Sequence, residues 1–173
     1  MSPDSQLAMA TPGIADTSPD ISPQQWRAGM AQFASGVTVI TTLDSQGMPT
    51  GTTVSAFCSL SLNPMLLLVS LDKRSNTLSS LLTQGVFAVN ILSQPQQSVA
   101  FQCGSRDKGK FSQIPHTMSR YGLPLIDGCI AHIECKVHQS IEGGDHNIII
   151  GEPLSLVSYP DVSPMIYHQG RFI

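Results

Sequence analysis

Residues 37–71 read VTVITTLDSQGMPTGTTVSAFCSLSLNPMLLLVSL, which contains extended segments separated by turn-forming stretches. The first segment, residues 37–43, is rich in β-branched residues and is followed by Asp44-Ser45-Gln46-Gly47, a composition typical of turns. The second segment covers residues 51–62 and is closed by Asn63-Pro64. Extended segments that follow one another this quickly predict a mainly β fold.

Two further segments are apolar at successive positions, residues 65–71 and residues 86–92. We expect both faces of each of these strands to be covered. Residues 130–139 alternate instead, with Ala131, Ile133, Cys135 and Val137 on an apolar side and His132, Glu134, Lys136 and His138 on the other. This alternation predicts one face toward the core and one toward water. Gly143-Gly144 then makes a turn, and residues 146–159 are expected to run back antiparallel.

The first helix is predicted from Ser22-Pro23-Gln24-Gln25. Ser22 can cap the helix, Pro23 suits its first position, and Gln25 completes a capping box. Trp26, Met30 and Phe33 recur at i, i+4 and i+7 and so share one helical face. Gly36 is the expected end of this helix.

Two short helices are predicted further along, over residues 75–83 and 93–102. The first of these has Leu78, Leu81 and Leu82 on one face and ends at Gly85. Residues 104–128 form a polar excursion with Gly and Pro, and long connections of this kind usually carry function. Short helices among many strands predict a β-barrel with helical decoration rather than a doubly wound parallel sheet.

Composition restricts the class of protein. The chain has 173 residues, enough for one domain with its own core, and only 12% of them are charged. Such low charge indicates either a surface of uncharged polar residues or a surface partly hidden in a dimer, and the long apolar segments favour the dimer. The net charge of −3 gives no basic field for nucleic acid or an anionic membrane.

The N-terminus and the cysteines bear on location. Residues 1–22 lack a basic and an apolar signal region and are rich in Ser, Pro, Asp and Ala, so we expect a disordered tail before a domain over residues 23–173. The longest apolar run, residues 65–69, is too short to cross a membrane. Four cysteines without a CxxC pair indicate buried, reduced thiols and a cytoplasmic protein. They are Cys58, Cys103, Cys129 and Cys135.

Several kinds of site are disfavoured. Residues 104–110 match the spacing GxxxxGK, but Phe111 follows where a phosphate loop needs Ser or Thr, and a basic loop near a ligand fits better. His132 and His138 share a strand face about 20 Å apart, too far for one metal ion, so no metal is expected. No GxSxG elbow is present, and no histidine is paired by sequence with Cys58 or Cys103.

Three segments suit a flat, phosphorylated heteroaromatic ligand. Residues 52–56, TTVSA, place small and hydroxyl side chains along a strand, although a plain threonine-rich strand explains the composition better. Ser75-Asn76-Thr77 opens a helix directly after Lys73-Arg74, which makes either a phosphate site or a capped surface helix. His146 follows the Gly143-Gly144 turn, where a lone histidine is usually only solvent-exposed.

Taken in order, these segments resemble the flavin reductase-like domain family, the short-chain NAD(P)H:flavin oxidoreductases. The similar stretches are residues 33–42 (FASGVTVITT), 51–64 (GTTVSAFCSLSLNP), 87–92 (FAVNIL), Lys110-Phe111, Gly144-Asp145-His146 and residues 167–172 (YHQGRF). They span residues 26–172. Asn63-Pro64 stands where many relatives have Pro-Pro, a change we expect to leave the chemistry untouched.

The resemblance implies a split β-barrel of the FMN-binding type with Greek-key topology, built as a homodimer with flavin near the subunit interface. It implies a flavin ring along Thr52, Thr53, Val54, Ser55 and Ala56, with Ser59, Leu60 and Ser61 nearby. The implied phosphate and ribityl residues are Lys73, Arg74, Ser75 and Thr77. Phe101, Cys103, Lys110 and Phe111 would border the cofactor, and His146, Tyr167, His168, Gly170 and Arg171 would form the nicotinamide side.

The implied reaction is hydride transfer from a nicotinamide dinucleotide to flavin, with His146 as the catalytic candidate that positions the nicotinamide amide or steadies reduced flavin. FMN or FAD would then leave to serve a partner monooxygenase. Alternatively, flavin stays bound and reduces a cob(II) corrinoid, as in cob(II)yrinic acid a,c-diamide reductases, or a ferric complex. A flavin-binding module without turnover and a structural dimeric barrel are further alternatives. The sequence does not decide whether the flavin is FMN or FAD, or whether the hydride donor is NADH or NADPH.

Overall fold

The computed structural model describes residues 20–107 and 109–173. Residues 1–19 of the predicted disordered tail lie outside the described residues. The helices are α1 (Pro23–Met30), α2 (Asn76–Gln84) and α3 (Gln97–Gly104), with a 3-10 turn at Lys110–Gln113. The strands are β1 (Ser35–Gly36), β2 (Thr38–Leu43), β3 (Pro49–Val54), β4 (Phe57–Leu62), β5 (Met65–Asp72), β6 (Val86–Ile91), β7 (His116–Met118), β8 (Pro124–Ile126), β9 (Ala131–Gly143), β10 (His146–Ser158), β11 (Ile166–His168) and β12 (Arg171–Phe172).

A seven-stranded sheet organises the molecule, in the order β3-β2-β6-β9-β10-β5-β4, with every neighbouring pair antiparallel. The two edge strands, β3 and β4, are consecutive along the chain and are joined by Ser55-Ala56. There the Ser70 N–H donates to the Ala56 carbonyl over 2.9 Å, so β5 holds the corner at which the chain passes from one edge strand to the other. The prediction of a mainly β fold with short helices is confirmed.

The main core lies on the face of the sheet that α2 covers. Phe87, Val69 and Ile149 are fully buried there, and α2 adds Leu78 and Leu81. Gly151 on β10 leaves room for Phe87, because a Cβ at this position would lie 2.6 Å from the Phe87 ring. At Gly151 the packing of this core therefore leaves no room for an added methyl group.

A second core lies on the opposite face, under the excursion predicted at residues 104–128. This segment holds the 3-10 turn, β7 and β8, and it buries Phe111, Ile114 and Ile126. Phe111 packs against β3 at Gly51, where a Cβ would lie 3.0 Å from the phenyl ring. The excursion is thus largely structural support for β3, and only part of it faces a groove.

Polar side chains of the main sheet hold β8 in place. Thr41 Oγ1 donates to the Pro124 carbonyl over 2.6 Å, and the Ile126 N–H donates to Asn90 Oδ1 over 2.8 Å. His132 Nε2 donates to the Ile126 carbonyl over 2.8 Å. These bonds satisfy strand-end groups that would otherwise be buried without partners.

Two predicted burial patterns are wrong. His132 and Glu134 were expected to face water, but both are buried: His132 donates to the Ile126 carbonyl of the excursion, and Glu134 accepts a hydrogen bond from Ser155 on β10 over 2.5 Å. In β5, Leu67, Val69 and Leu71 are buried, the residues between them are only half-buried, and Met65 is exposed, because one face of the strand packs on the core and the other is only partly covered. The prediction for residues 86–92 holds, since residues 87–90 and Leu92 are buried.

The three predicted helices are present at the predicted places, but their first or last residues differ from the prediction. The capping box at Ser22 and Gln25 is present, but α1 ends at Met30, and Gly36 instead lies in β1. The helix predicted over residues 75–83 matches α2 within a residue and ends at Gly85 with φ of 71°, yet Leu82 is exposed. α3 begins at Gln97 rather than at position 93.

The stretch predicted as one strand over residues 51–62 is broken at Ser55-Ala56 into β3 and β4. Within residues 20–107 and 109–173, no helix is long and apolar enough to cross a lipid bilayer. Across the same residues, His, Cys, Asp and Glu form no group of three placed to hold a metal ion.

Candidate functional site

A groove of about 210 Å³ lies at the corner where β3 ends, between β5, the start of α2 and the start of β10. It brings together three segments that are distant in sequence but were all singled out from it: residues 52–56, Ser75 and His146. Its lining residues are Thr52, Thr53, Val54, Ser55, Ala56, Ser70, Leu71, Asp72, Ser75 and His146.

The side of the groove formed by β3 has small side chains, and hydrogen bonds hold the strand in place. Thr53 Oγ1 donates to the Ala100 carbonyl over 2.7 Å, which ties β3 to α3. The Val54 carbonyl accepts from Thr38 Oγ1 over 2.8 Å, which ties β3 to β2. Ser55 and Ala56 follow and are exposed at the strand break. A flat ring can approach such a backbone closely, because no bulky side chain intervenes.

The start of α2 forms one end of the groove. Ser75 is the N-cap residue in an extended conformation, and its side chain makes no hydrogen bond to the helix backbone. Its hydroxyl and the N-terminal turn of α2 are therefore suited to an anionic group. Thr77, predicted as a phosphate residue beside it, is buried at 3% exposure and faces the core.

Charged side chains surround this end of the groove. Asp72 lines it and accepts from Arg74, whose guanidinium lies 2.7 Å from the carboxylate. The hydrogen bonds from Arg74 hold the pKa of Asp72 well below its usual range. Lys73 Nζ lies 3.0 Å from Glu142 Oε2. Both cations predicted to receive a phosphate are thus engaged in ion pairs.

His146 stands at the first position of β10, opposite Asp72 in the register of the sheet. Its Nδ1 lies 2.7 Å from Asp145 Oδ1 and donates to it. This hydrogen bond lowers the pKa of Asp145. In the neutral imidazole, Nε2 is then the acceptor atom and is free to take a hydrogen bond from an amide N–H.

The sequence analysis missed Ser70, Asp72 and Asp145. Ser70 and Asp72 are two polar residues at alternate positions near the end of an apolar strand. Such a pattern indicates a functional strand end, but it was missed because β5 was interpreted as covered on both faces. Asp145 was noted only as part of Gly144-Asp145-His146, without a role of its own.

A second groove, of about 620 Å³, lies along α3 and the loop that follows it. Phe101 and Lys110 line it, and Phe101 is 67% exposed. Lys110 Nζ donates to the carbonyls of Cys103 and Ser105, and burial lowers its pKa. Cys103 and Phe111 were also predicted to border the cofactor, but both are buried in the second core.

The C-terminal residues predicted on the nicotinamide side lie apart from His146. Tyr167 and His168 belong to β11, Gly170 lies in the turn that follows, and Arg171 is the first residue of β12. Phe172 packs against both Phe101 and Tyr167, with ring centroids 5.0 and 5.4 Å apart. This hairpin therefore adjoins α3, and its residues are not among those that line the first groove.

The remaining predicted residues, Ser59, Leu60 and Ser61, lie on the edge strand β4 and line neither groove. Ser59 and Leu60 are exposed, and a register shift against β5 occurs between Ser59 and Ser61. The first groove is therefore built by β3, β5, α2 and β10, and it is the candidate site.

The fold and the groove define a mainly β protein whose candidate site combines small residues, an open helix N-terminus and a histidine, and so suits a flat, phosphorylated ligand. The model of the flavin reductase like domain matches residues 30–173. The chain belongs to this family, and the identification made from its sequence is confirmed.

Relatives agree with this assignment. The chain is 38% identical over 152 residues, 88% of this chain and 77% of the relative, to the reductase subunit HsaB of a flavin-dependent monooxygenase from Rhodococcus jostii. It is 36% identical, over 88% of this chain and 89% of the relative, to a flavin reductase from Pseudomonas putida. The prediction of an oxidoreductase is confirmed.

A solved structure is similar over nearly the whole chain. It is the NADH:FAD oxidoreductase SgcE6 from Streptomyces globisporus C-1027, with a TM-score of 0.83, 32% identity, and coverage of 91% of this chain and 98% of that one. The same enzyme has also been solved with NAD and FAD fragments. The predicted pairing of flavin with a nicotinamide dinucleotide is confirmed.

Proposed function

We propose that this protein uses NADH to reduce FAD, with FMN as a second flavin substrate, and releases the reduced flavin to a separate oxygenase component. One observation carries the proposal: the groove at the β3–β4 corner gathers residues 52–56, Ser75 and His146. The names of similar proteins support the choice of substrates, since one is an NADH:FAD oxidoreductase and another is a monooxygenase reductase subunit.

The residues of the groove fit a flavin. Thr52, Thr53, Val54, Ser55 and Ala56 would hold the ring against the strand backbone, and Ser75 with the first turn of α2 would hold the ribityl and phosphate end. When bound, the flavin supplies the acceptor for a hydride from the nicotinamide.

His146 would position the nicotinamide. With Nδ1 donating to Asp145, its Nε2 accepts from an amide N–H and fixes how the dinucleotide lies against the groove. Holding two reactants in a productive orientation is worth several kcal/mol, roughly 7–11 in favourable cases. His146 needs to transfer no proton in this role.

We also propose that the sheet is a split β-barrel of Greek-key topology and that the protein is a cytoplasmic homodimer with the flavin near the interface. The meeting of both edge strands at Ser55-Ala56 supports the barrel. Apolar side chains in α1 and just after it support the dimer: Trp26, Met30 and Phe33 are 57%, 52% and 74% exposed, and an eight-residue helix needs packing to be stable. Free, buried thiols at Cys103, Cys129 and Cys135 support a reducing compartment.

The dimer has a direct test. Analytical ultracentrifugation of the wild-type chain should give twice the mass of 18.5 kDa. Replacing Trp26 and Phe33 with Ser should shift the population toward monomer, whereas the same change at exposed Met48, which lies in the β2–β3 turn, should leave it unchanged. A monomeric wild-type protein at micromolar concentration would rule out the dimer.

The activity is tested by an anaerobic titration of protein and flavin with NADH and with NADPH, followed by size-exclusion separation. We expect bleaching of FAD by NADH, reduced flavin in the small-molecule fraction, and reoxidation by added oxygen. Reduced flavin that stays with the protein and is reoxidised by an added cob(II) corrinoid would contradict the diffusible-flavin proposal. Failure to bind FAD and FMN at micromolar concentration would refute the function as a whole.

A further inference from the structure

The two cations at the phosphate end of the groove are held by acidic side chains of the same chain. Lys73 pairs with Glu142 at 3.0 Å, and Arg74 pairs with Asp72 at 2.7 Å. Neither cation is among the residues that line the groove, whereas the carboxylate-bearing Asp72 is. A flavin phosphate entering here therefore meets a carboxylate and two cations that already have anionic partners.

Backbone hydrogen bonds hold the partners of both ion pairs next to each other. The Lys73 N–H donates to the Asp145 carbonyl over 3.0 Å, which holds the β9–β10 turn, and with it Glu142, beside Lys73. The Arg74 N–H donates to Asp72 Oδ1 over 2.8 Å, and the Arg74 Nε donates to the same atom over 3.1 Å. Asp72 thus accepts from both the backbone and the side chain of Arg74.

We propose that Asp72 and Glu142 weaken flavin binding, because they compete with the flavin phosphate for Arg74 and Lys73. This inference rests on the proposed function and adds to it that these two carboxylates set the affinity for flavin. Phosphate binds best to cations and N–H groups with no other anion nearby. With both cations paired, most of the attraction for the phosphate falls to Ser75 and the N-terminus of α2.

The consequence for turnover is faster release. Differences in affinity between closely related complexes reside mainly in the dissociation rate. Asp72 and Glu142 are therefore expected to speed the departure of the flavin, which suits a reductase whose product must reach another protein. The flavin ring, bound by residues 52–56, is not affected by these pairs.

The test compares FMN with riboflavin, which differ only in the phosphate. Dissociation constants are measured by fluorescence titration at 0.15 M salt for the wild-type chain, Glu142→Gln and Asp72→Asn. We expect each variant to bind FMN about three- to fivefold more tightly, the range set by an exposed ion pair. Riboflavin affinity should stay unchanged, and stopped-flow dissociation of FMN should slow by a similar factor.

Glu152→Gln is the matched control. Glu152 pairs with Lys136 at 3.1 Å on the same sheet, but neither residue lines the groove. This variant removes one carboxylate from an ion pair and should leave both dissociation constants unchanged, since salt screens distant exposed charges.

The outcomes separate this inference from the proposed function. Unchanged or weaker FMN binding in both groove variants, an equal gain for riboflavin, or an equal gain in Glu152→Gln would overturn the competition between carboxylate and phosphate. Flavin-dependent NADH oxidation by the wild-type chain would then still support the proposed function. If the wild-type chain bound neither flavin, the proposed function would fail and the inference with it.

Discussion

Removal of the Asn90 side chain should destabilise the fold, because it links three strands through buried hydrogen bonds. It is fully buried on β6 and makes three hydrogen bonds. Its Nδ2 donates to the Val39 carbonyl over 3.0 Å and to Thr41 Oγ1 over 2.9 Å, and its Oδ1 accepts from the Ile126 N–H over 2.8 Å. It therefore joins β2, β6 and β8 through both its donor and its acceptor.

Asn90→Ala should lower the free energy of unfolding by about 2–6 kcal/mol. The Ile126 N–H becomes a buried donor without a partner, which costs about 1–3 kcal/mol, and each remaining bond contributes about 0.5–1.5 kcal/mol. The total is a large fraction of the roughly 5–15 kcal/mol by which natural domains are stable. Part of the effect should be local, because one of the lost bonds is among the three that hold β8.

The assay is urea unfolding followed by far-ultraviolet circular dichroism, combined with hydrogen exchange. Tryptophan fluorescence is unsuitable, because the single tryptophan, Trp26, is exposed on α1, far along the chain from β8. Thr42→Val is the control: Thr42 is buried and makes one side-chain bond, to the Val86 carbonyl at 2.9 Å, so about 1 kcal/mol is expected. Equal losses in the two variants, or unchanged exchange at Ile126, would refute this account of the second core.

Three further predictions concern the site, the main core and the thiols. His146→Ala should slow anaerobic reduction of flavin by NADH by about ten- to a hundredfold in stopped-flow measurements, because the nicotinamide loses its positioning contact; an unchanged rate would remove His146 from the mechanism. Its flavin dissociation constant should change little. Gly151→Ala should destabilise the protein by about 1–3 kcal/mol in urea, since the added Cβ would lie 2.6 Å from the Phe87 ring. Gly143→Ala, whose Cβ would meet nothing nearer than 3.8 Å, should change stability far less, and equal effects would count against tight packing at Gly151. At pH 8 a thiol reagent should modify Cys58 alone in the native protein and all the cysteines in guanidinium, because burial raises the pKa of the others to about 12; fast labelling of a second thiol would contradict this. The protected thiols are Cys103, Cys129 and Cys135.

Local signals located most elements of this fold correctly. The β-branched run at residues 37–43 became β2, and the alternating run after position 130 became β9. The capping box at Ser22 and the left-handed Gly85 mark helix ends through contacts within a few residues. Such contacts are set by the chain on either side of them, and so they can be predicted from sequence.

Burial could not be predicted in the same way. His132 and Glu134 follow a pattern that predicts a wet face, but His132 is buried against Ile126 of the excursion and Glu134 against Ser155 of β10. Phe33 and Trp26 follow a pattern typical of a packed helix, yet within one chain they stay exposed. Whether a face is covered depends on a segment tens of residues away, about which the periodicity of a strand or helix holds no information.

The sequence by itself located the longer strands and the helices, although not β7, β8, β11 and β12, and it singled out residues 52–56, Ser75 and His146, because propensity, caps and motifs are properties of neighbouring residues. Tertiary structure alone decided that these segments share one groove, that His146 stands opposite Asp72, and that Lys73 and Arg74 are held by carboxylates. The physical reason is that strand register and ion pairing depend on where distant parts of the chain meet.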